Sequence, residues 1–585
     1  MTRRSTCAVI FVCLASAVWT GAAQPPPPDL VGEWRAVVAR QHLTLAVERG
    51  ADASYTGTIV AVDQGNASIP LDTVAIGADR SVRLEMTQIG ASFEGRASAD
   101  GSSIIGEWHQ GGGSLPVAFR RPGTSSDAFT LKPTTKGTVA LQPCRVADEA
   151  VEALCGTYSV FENRRTRASR TIALNIVILP AKAARPAADP YFALAGGPGQ
   201  SATEVFPLAG FARAIAEHRD VVLVDQRGTG RSNMLDCKRE SLDNARTALG
   251  EGYALDNIRA CREAADSKAD PTQYTTTNAV DDLDEVRAAL GYDRINVFGG
   301  SYGTKAALVY LRRHGDHVRT ITLEAVAPPD FLIPLPFAKG VQAAVDGVIS
   351  LCEANAACHA AYAGLRQEYH DVLARLSQTP ARLDVPGGPL LLSKEMFVAK
   401  LRTVLYVPQF ISVFPLVVQA AHSGDWSAYV AVMKQLATAL DGAVARGASF
   451  SAICAEDVPA FKPGLIRSAI SGTDMGDVQV RRYEEYCKAW GSADPAPKDF
   501  YAAVRSNVPA LLISGALDPG TPPEFARETA SHLPNARLIT VKEGTHGTGS
   551  PCVDRLLADF VDRGAAKDLD ASCVDAIHLP LFVVK

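Results

Sequence analysis

From about residue 150 the chain alternates two kinds of segment. Apolar runs, "RTIALNIVILP" (170–180), "YFALAGG" (191–197), "DVVLVDQ" (220–226), "RINVFGG" (294–300) and "RTITLEAV" (319–326), have the length and continuity of strands buried on both faces. Between them lie stretches with helical spacing. In "NAVDDLDEVRAALG" (278–291), Val280, Leu283, Val286 and Leu290 fall on one helical face, and Asn278 is placed to cap it. Strands alternating with helices predict an α/β core, a mostly parallel sheet with helices on both faces. Residues 330–505 break the rhythm and read as helices, in "GVQAAVDGVISLCEANAACHAAYAGLRQEYHDVLARL" and "FPLVVQAAHSGDWSAYVAVMKQLATALDGAVARG". The rhythm returns with "VPALLISGALDPG" (508–520) and "ARLITVKEGTHG" (536–547). An insertion at that point is expected over the carboxyl ends of the strands, where sheets of this kind bind ligands.

Residues 31–122 follow a different period. "LTLAV" (43–47) and "VRLEM" (82–86) alternate apolar and polar, with Gly- and Asp-rich turns between such runs, which predicts a small all-β domain. "Gly-Glu-Trp" occurs near both ends, at 32–34 and 106–108, as if marking equivalent strands. The boundaries read as a signal segment at 1–23, a Pro-rich spacer at 24–30, the β-domain at 31–122, a first core part at 123–329, a helical cap at 330–505 and a second core part at 506–585. The linker after the β-domain starts in "PGTSSDAF" (122–129).

Composition narrows the class. A hydrophobic fraction of 47% and a charged fraction of 21% belong to an ordinary globular chain, and 585 residues exceed one core. A net charge of -5 without a long basic run argues against a nucleic-acid partner. Arg3 and Arg4, the apolar stretch "CAVIFVCLASAVW" and the small residues Gly21-Ala22-Ala23 have the build of a secretory signal. The expectation is an exported protein, periplasmic or extracellular, with no membrane association once that segment is removed. Two of the twelve cysteines, Cys7 and Cys13, fall in the signal. The other ten are expected to pair as near neighbours in an oxidising compartment: Cys144 with Cys155, Cys237 with Cys261, Cys352 with Cys358, Cys454 with Cys487, and Cys552 with Cys573. Sequence alone does not fix that connectivity. "CEANAACH" lacks a second ligand pair at zinc-like spacing, so no metal is expected.

The candidate chemistry centres on "INVFGGSYGTKAALVYL" (295–311). Gly-x-Ser-x-Gly between a strand and a helix is the pattern of a nucleophile held on a strained turn, here Ser301. A serine hydroxyl needs a base, and the base an orienting acid, in the chain order serine, acid, histidine. His546 follows the strand "RLITV" in a Gly-rich loop. His532, at a helix end, and His578, in the tail, are not so placed. Asp518 ends the strand "ALLISG" and is favoured as the acid, with Glu324, at the end of an earlier strand, its rival. An oxyanion needs two backbone donors. The amide of Tyr302 is one candidate. The loop "FALAGGPGQSA" (192–202), with Gly196, Gly197 and Gly199 around Pro198, offers the other.

"GGPG", "DVVLVDQRGTGRS", "GGSYGT", "LDPGTP" and "GTHG", in that order, resemble the proline iminopeptidase and tripeptidyl aminopeptidase family of α/β-hydrolase serine peptidases. "YTTTNAVDDLDEVRAALGY" and "ICAEDVP" are similar to its tripeptidyl branch, which has a characteristic, TAP-like C-terminal region. The likeness runs from about Cys144 to Cys573 and leaves the β-domain outside it. It implies an α/β-hydrolase fold with Ser301 as nucleophile, Asp518 as acid and His546 as base. Where the family loop often begins with histidine, Ala195 stands here, which affects a supporting contact and not the backbone donors. An aminopeptidase must hold a protonated substrate amine, and Glu456 is the first candidate, with Asp457 and Glu204 as alternatives. The expected activity is release of N-terminal residues or short peptides, without cofactor or metal, from peptides with a free amino end. A carboxylesterase on the same machinery and a non-catalytic binding protein are the alternatives.

Overall fold

The computed structural model describes residues 29–584, apart from 39–40, 53, 63–65, 111–112, 123–128, 148–149, 169, 238–244, 386–387, 441–443 and 492–494. The signal segment, all but the end of the Pro-rich spacer and most of the linker in "PGTSSDAF" lie outside the described residues. The chain divides into two compact units, one up to Ser126 and one from Asp127.

In the first unit, nine antiparallel strands run from Gly32–Val38 to Gly113–Arg120, and the first pairs with the last. The period-2 pattern sets their faces. Leu43, Leu45 and Val47 point inward from one strand, and Val82, Leu84 and Met86 from another. Both tryptophans of the repeated tripeptide, Trp34 and Trp108, are buried in this core.

The second unit carries a ten-stranded sheet. Its strands are β1 (Thr134–Lys136), β2 (Val139–Val146), β3 (Val151–Phe161), β4 (Thr171–Leu179), β5 (Tyr191–Leu194), β6 (Val221–Val224), β7 (Ile295–Gly300), β8 (Val318–Glu324), β9 (Ala510–Gly515) and β10 (Ala536–Val541). Their order is β1-β2-β3-β4-β6-β5-β7-β8-β9-β10. The sheet is parallel from β6 to β10, while β1 to β4 pair antiparallel and β4 meets β6 antiparallel. The parallel half is the alternation of strand and helix seen in the sequence. The antiparallel half needs no crossover helix, so it leaves a weaker trace there.

The helix after residue 275 spans Thr276–Ala289. Its cap is Thr275, whose hydroxyl accepts from the amide of Asn278, so Asn278 lies within the first turn and not before it. Val280, Leu283, Val286 and Leu290 are each at most 4% exposed. Burying one such side chain contributes about 1.5–3 kcal/mol, whereas an isolated helix of this length is marginal in water. Packing on the sheet therefore holds this helix.

The insertion is helical with one exception. Its first long apolar stretch forms Phe337–Ala354, Ala356–Ala361 and Leu365–Gln378, broken where Asn355 caps the second helix. Ala381–Val385 and Gly388–Leu392 pair antiparallel as a two-stranded sheet. The helices from Phe337 to Leu440 share a core of their own, including Val345, Tyr369, Phe397, Phe414 and Met433. By contrast, Phe450 and Cys454, in the helix Arg446–Glu456, and Tyr486 and Trp490, in Val478–Trp490, belong to the core of the sheet. Disulfides join Cys144–Cys155, Cys237–Cys261, Cys352–Cys358, Cys454–Cys487 and Cys552–Cys573. Among the described residues, no helix is long and apolar enough to cross a membrane.

Candidate active site

Ser301 sits between β7 and the helix Tyr302–His314, with φ 56° and ψ −126°. A non-glycine residue in that region is strained, and only a surround that over-determines it sustains the conformation. Here the surround is tight. A Cβ on Gly299 would lie 2.3 Å from the Gly303 carbonyl oxygen, and one on Gly303 would lie 2.2 Å from that of Leu194. Both positions admit only glycine, and the Ser301 amide is fixed by donating to the Glu324 carbonyl at 2.9 Å.

Two further side chains form a line to Ser301 from the turns after β9 and β10. His546 lies in the loop after β10, and its Nε2 is 3.0 Å from Ser301 Oγ. Its Nδ1 is 2.9 Å from Asp518 Oδ2 and 3.0 Å from Oδ1. An ionised carboxylate only accepts, so Nδ1 carries the proton and Nε2 is left to accept from the serine hydroxyl. Asp518, in the turn after β9, is 2% exposed. Burial pushes its pKa up, but the charge of His546 and hydrogen bonds from His546 and Thr521 outweigh burial and hold it below the ordinary carboxylate value. The Thr521 hydroxyl donates to Oδ2 at 2.6 Å, and the amides of Gly520 and Thr521 donate to Oδ1 at 2.7 and 2.9 Å.

Glu324, the rival acid, takes a different part. Its Oε1 accepts from the amide and hydroxyl of Thr548 at 2.6 and 2.7 Å, so it pins the loop that carries His546. His532 follows the helix Pro523–Ser531, and His578 bonds to Glu543 through Nδ1 at 2.9 Å.

The loop after β5 runs against the serine. A Cβ on Gly196 would lie 3.1 Å from that of Ser301. Gly197 and Gly199 have φ near +107° and +108°, a region closed to most side chains. Asp225, fully buried after β6, anchors this loop. It accepts from Ser201 Oγ at 2.7 Å, from the Thr203 amide and hydroxyl at 3.1 and 2.9 Å, from Asn175 Nδ2 at 2.9 Å and from the Arg231 amide at 3.1 Å. The conspicuous "VDQRGTGRS" run is therefore scaffolding. Nearby, Arg227 forms a buried ion pair with Asp282. On its other side the loop meets the insertion, where the Ala445 amide donates to the Gly199 carbonyl at 2.9 Å.

Of the three carboxylates considered for binding an amine, Glu456 and Asp457 are buried and already engaged. Glu456 accepts from the Thr276 amide and hydroxyl, both at 2.6 Å. The Thr276 hydroxyl also lies 2.5 Å from that of Tyr302. Burial pushes the Glu456 pKa up to about 7, against the pull of Lys305. Asp457 pairs with Lys305 at 2.6 Å, and this lysine, 1% exposed, also donates to the Phe331 carbonyl. Both carboxylates thus brace the helix that follows Ser301. Glu204, just after the glycine loop, has an exposed side chain.

Sequence reasoning missed Thr521, Thr276, Lys305 and Tyr406. Thr521 had a signal, since a hydroxyl three residues after an aspartate in a turn bonds back to it. Tyr406 had none. It ends the helix Lys394–Tyr406 of the insertion, yet its ring stacks on that of His546 with centroids 4.3 Å apart.

A family model described as "alpha/beta hydrolase fold" matches residues 194–386, and one described as "TAP-like protein" matches residues 473–573. The fold is that of an α/β-hydrolase. It is 26% identical to the serine protease Hip1 of Mycobacterium tuberculosis, over 74% of this chain and 90% of that one. It is also 26% identical to a tripeptidyl aminopeptidase of Streptomyces coelicolor, over 65% of this chain and 75% of the relative. A proline iminopeptidase of Neisseria gonorrhoeae is 29% identical over 24% of this chain and 34% of its own.

Proposed function

We propose that this α/β-hydrolase is an exported serine peptidase that releases amino acids or short peptides from the free amino ends of peptides. The observation that carries the reading is the unbroken line from Ser301 Oγ through His546 to Asp518, with contacts of 3.0 and 2.9 Å. The similarity to a serine protease and to a tripeptidyl aminopeptidase supports a peptide substrate. The five disulfides support an oxidising compartment outside the cytoplasm.

In this mechanism Ser301 Oγ attacks the carbonyl carbon while His546 Nε2 takes its proton. Asp518 holds the imidazole in the tautomer that can accept and stabilises the imidazolium. The amides of Tyr302 and of Gly197 or Gly196 receive the oxyanion, at a helix start where backbone donors lack intrahelical partners. His546 then protonates the leaving amine, and water resolves the acyl-enzyme by the reverse path. The insertion, resting on the glycine loop at Ala445, limits entry to chain ends. Glu204, exposed just after the glycine loop, is one candidate to hold the substrate amine.

The test is a peptide library digested with the wild type and with Ser301→Ala, read by mass spectrometry. Ladders from the amino end with the wild type, and none with the variant, are expected. Internal cuts, or equal cutting of amino-blocked peptides, would overturn the exopeptidase reading. Turnover of simple esters without any peptide cleavage would favour a carboxylesterase.

A further inference from the structure

The triad's imidazole has a neighbour from outside the sheet. The Tyr406 and His546 rings are 4.3 Å apart at an interplanar angle of 22°, a face-to-face contact. The two strands of backbone are tied as well, because the Thr545 hydroxyl donates to the Tyr406 carbonyl at 3.0 Å. The other side of the tyrosine is equally constrained. Arg402 donates to its hydroxyl at 2.6 Å and stacks over Phe337 at 4.1 Å. That hydroxyl also reaches the turn of the orienting acid, since a Cβ on Gly520 would lie 2.3 Å from it. The ring is thus wedged between the base and the turn that holds its acid.

We propose that Tyr406 is a positioning residue for His546: its ring keeps Nε2 directed at Ser301 and stabilises the imidazolium formed when the serine is deprotonated. The inference rests on the triad reading given above. The face of an aromatic ring carries negative potential and attracts a cation laid over it. The imidazole gains a positive charge when it takes the serine proton, so the attraction is stronger in the transition state than before it. The charged or titratable groups around the stacked pair are Asp518 on Nδ1, Arg402 on the tyrosine hydroxyl, and Tyr483 from the helix Val478–Trp490. None of them changes in the variants below. Because Tyr406 belongs to the insertion, the full reactivity of Ser301 depends on the insertion being seated.

The experiment uses the full chain as Tyr406→Leu and Tyr406→Phe. The readouts are the rate of Ser301 labelling by a fluorophosphonate from pH 5 to 9, and kcat and KM on an aminoacyl amide. Tyr406→Phe keeps the ring and is expected within about threefold of wild type at every pH. Tyr406→Leu is expected to label about tenfold more slowly at neutral pH, with kcat falling and KM steady. Its acid limb should move to lower pH by about half a unit, since the imidazolium loses its partner. Tyr406→Met serves the same purpose where the leucine variant does not fold. A folded leucine or methionine variant with the wild-type pH profile would overturn the proposal, and so would a phenylalanine variant as impaired as leucine. A wild-type enzyme that the fluorophosphonate does not label would instead sink the triad reading beneath it.

Discussion

Asp518 keeps its charge where burial opposes it. Three donors from its own turn, two amides and the Thr521 hydroxyl, bond it beside His546. Asp518→Asn is expected to keep the fold but lower kcat by about 10⁴, because an amide in that place no longer enforces the required tautomer. Thr521→Val removes one charge-assisted bond, and a loss of about tenfold in kcat with little change in KM is expected. Glu456 poses the opposite case. Its pKa is raised to about 7 in the fold by burial, above the ordinary 4.5. The folded state therefore binds its proton more tightly than the unfolded state does. Its contribution to stability is complete below about pH 4.5 and is lost as pH rises through about 7. Melting scans across that range should show a shallower fall for Glu456→Gln than for wild type. The line of Ser301, His546 and Asp518 was legible because each lies in the turn or loop after a strand, so their order along the chain follows their order along one edge of the sheet. The amine site was not. Local spacing shows a carboxylate near a cysteine but not the Thr276 donors, 180 residues earlier, that occupy Glu456.

At the scale of elements, the strand-turn-helix joint at Ser301 depends on backbone proximity more than on any side-chain contact. Gly303→Ala would place a Cβ 2.2 Å from the Leu194 carbonyl oxygen, and backbone on both sides leaves no flexible group to yield. An overpacking cost of about 1–3 kcal/mol is expected, read as a lower midpoint in urea unfolding, along with loss of labelling at Ser301. The parallel half of the sheet was readable because strands buried on both faces are continuously apolar and the helices between them keep a 3.6-residue period. The two-stranded sheet of 381–385 and 388–392 escaped because its alternating strands are short and lie among helices that dominate the local pattern. The helix start at Thr275 was misplaced by three residues. In "YTTTNAV" several residues can cap, and only tertiary packing selects among them.

At the scale of the molecule, three of the points that fasten the insertion to the rest of the second unit lie around Ser301 and His546. Tyr406 lies on His546 and Ala445 on the glycine loop. The third fastening is the tail. His578 and the Leu579 amide both bind Glu543, three residues before His546, at 2.9 Å. The tail then crosses to the insertion. There the Val583 amide donates to the Ser412 carbonyl at 2.9 Å, and the Tyr362 hydroxyl donates to the Val583 carbonyl at 2.8 Å. Leu579 and Phe582 pack against the core of the insertion. No sequence pattern marks "HLPLFVV" as a strap, because its partners lie on another part of the chain. Removing everything after Ala576 leaves the Cys552–Cys573 disulfide intact but cuts this link. Two apolar anchors and their hydrogen bonds together contribute about 2–5 kcal/mol. Their loss should expose the helices 337–440 to limited proteolysis at least about tenfold faster, while the sheet stays protected. Because the base is seated by the insertion, kcat should fall in the same variant, and a substrate that binds the closed insertion should restore both protection and rate as its concentration rises. A truncated chain with wild-type kcat and wild-type proteolysis would show that the tail lies on the insertion without holding it.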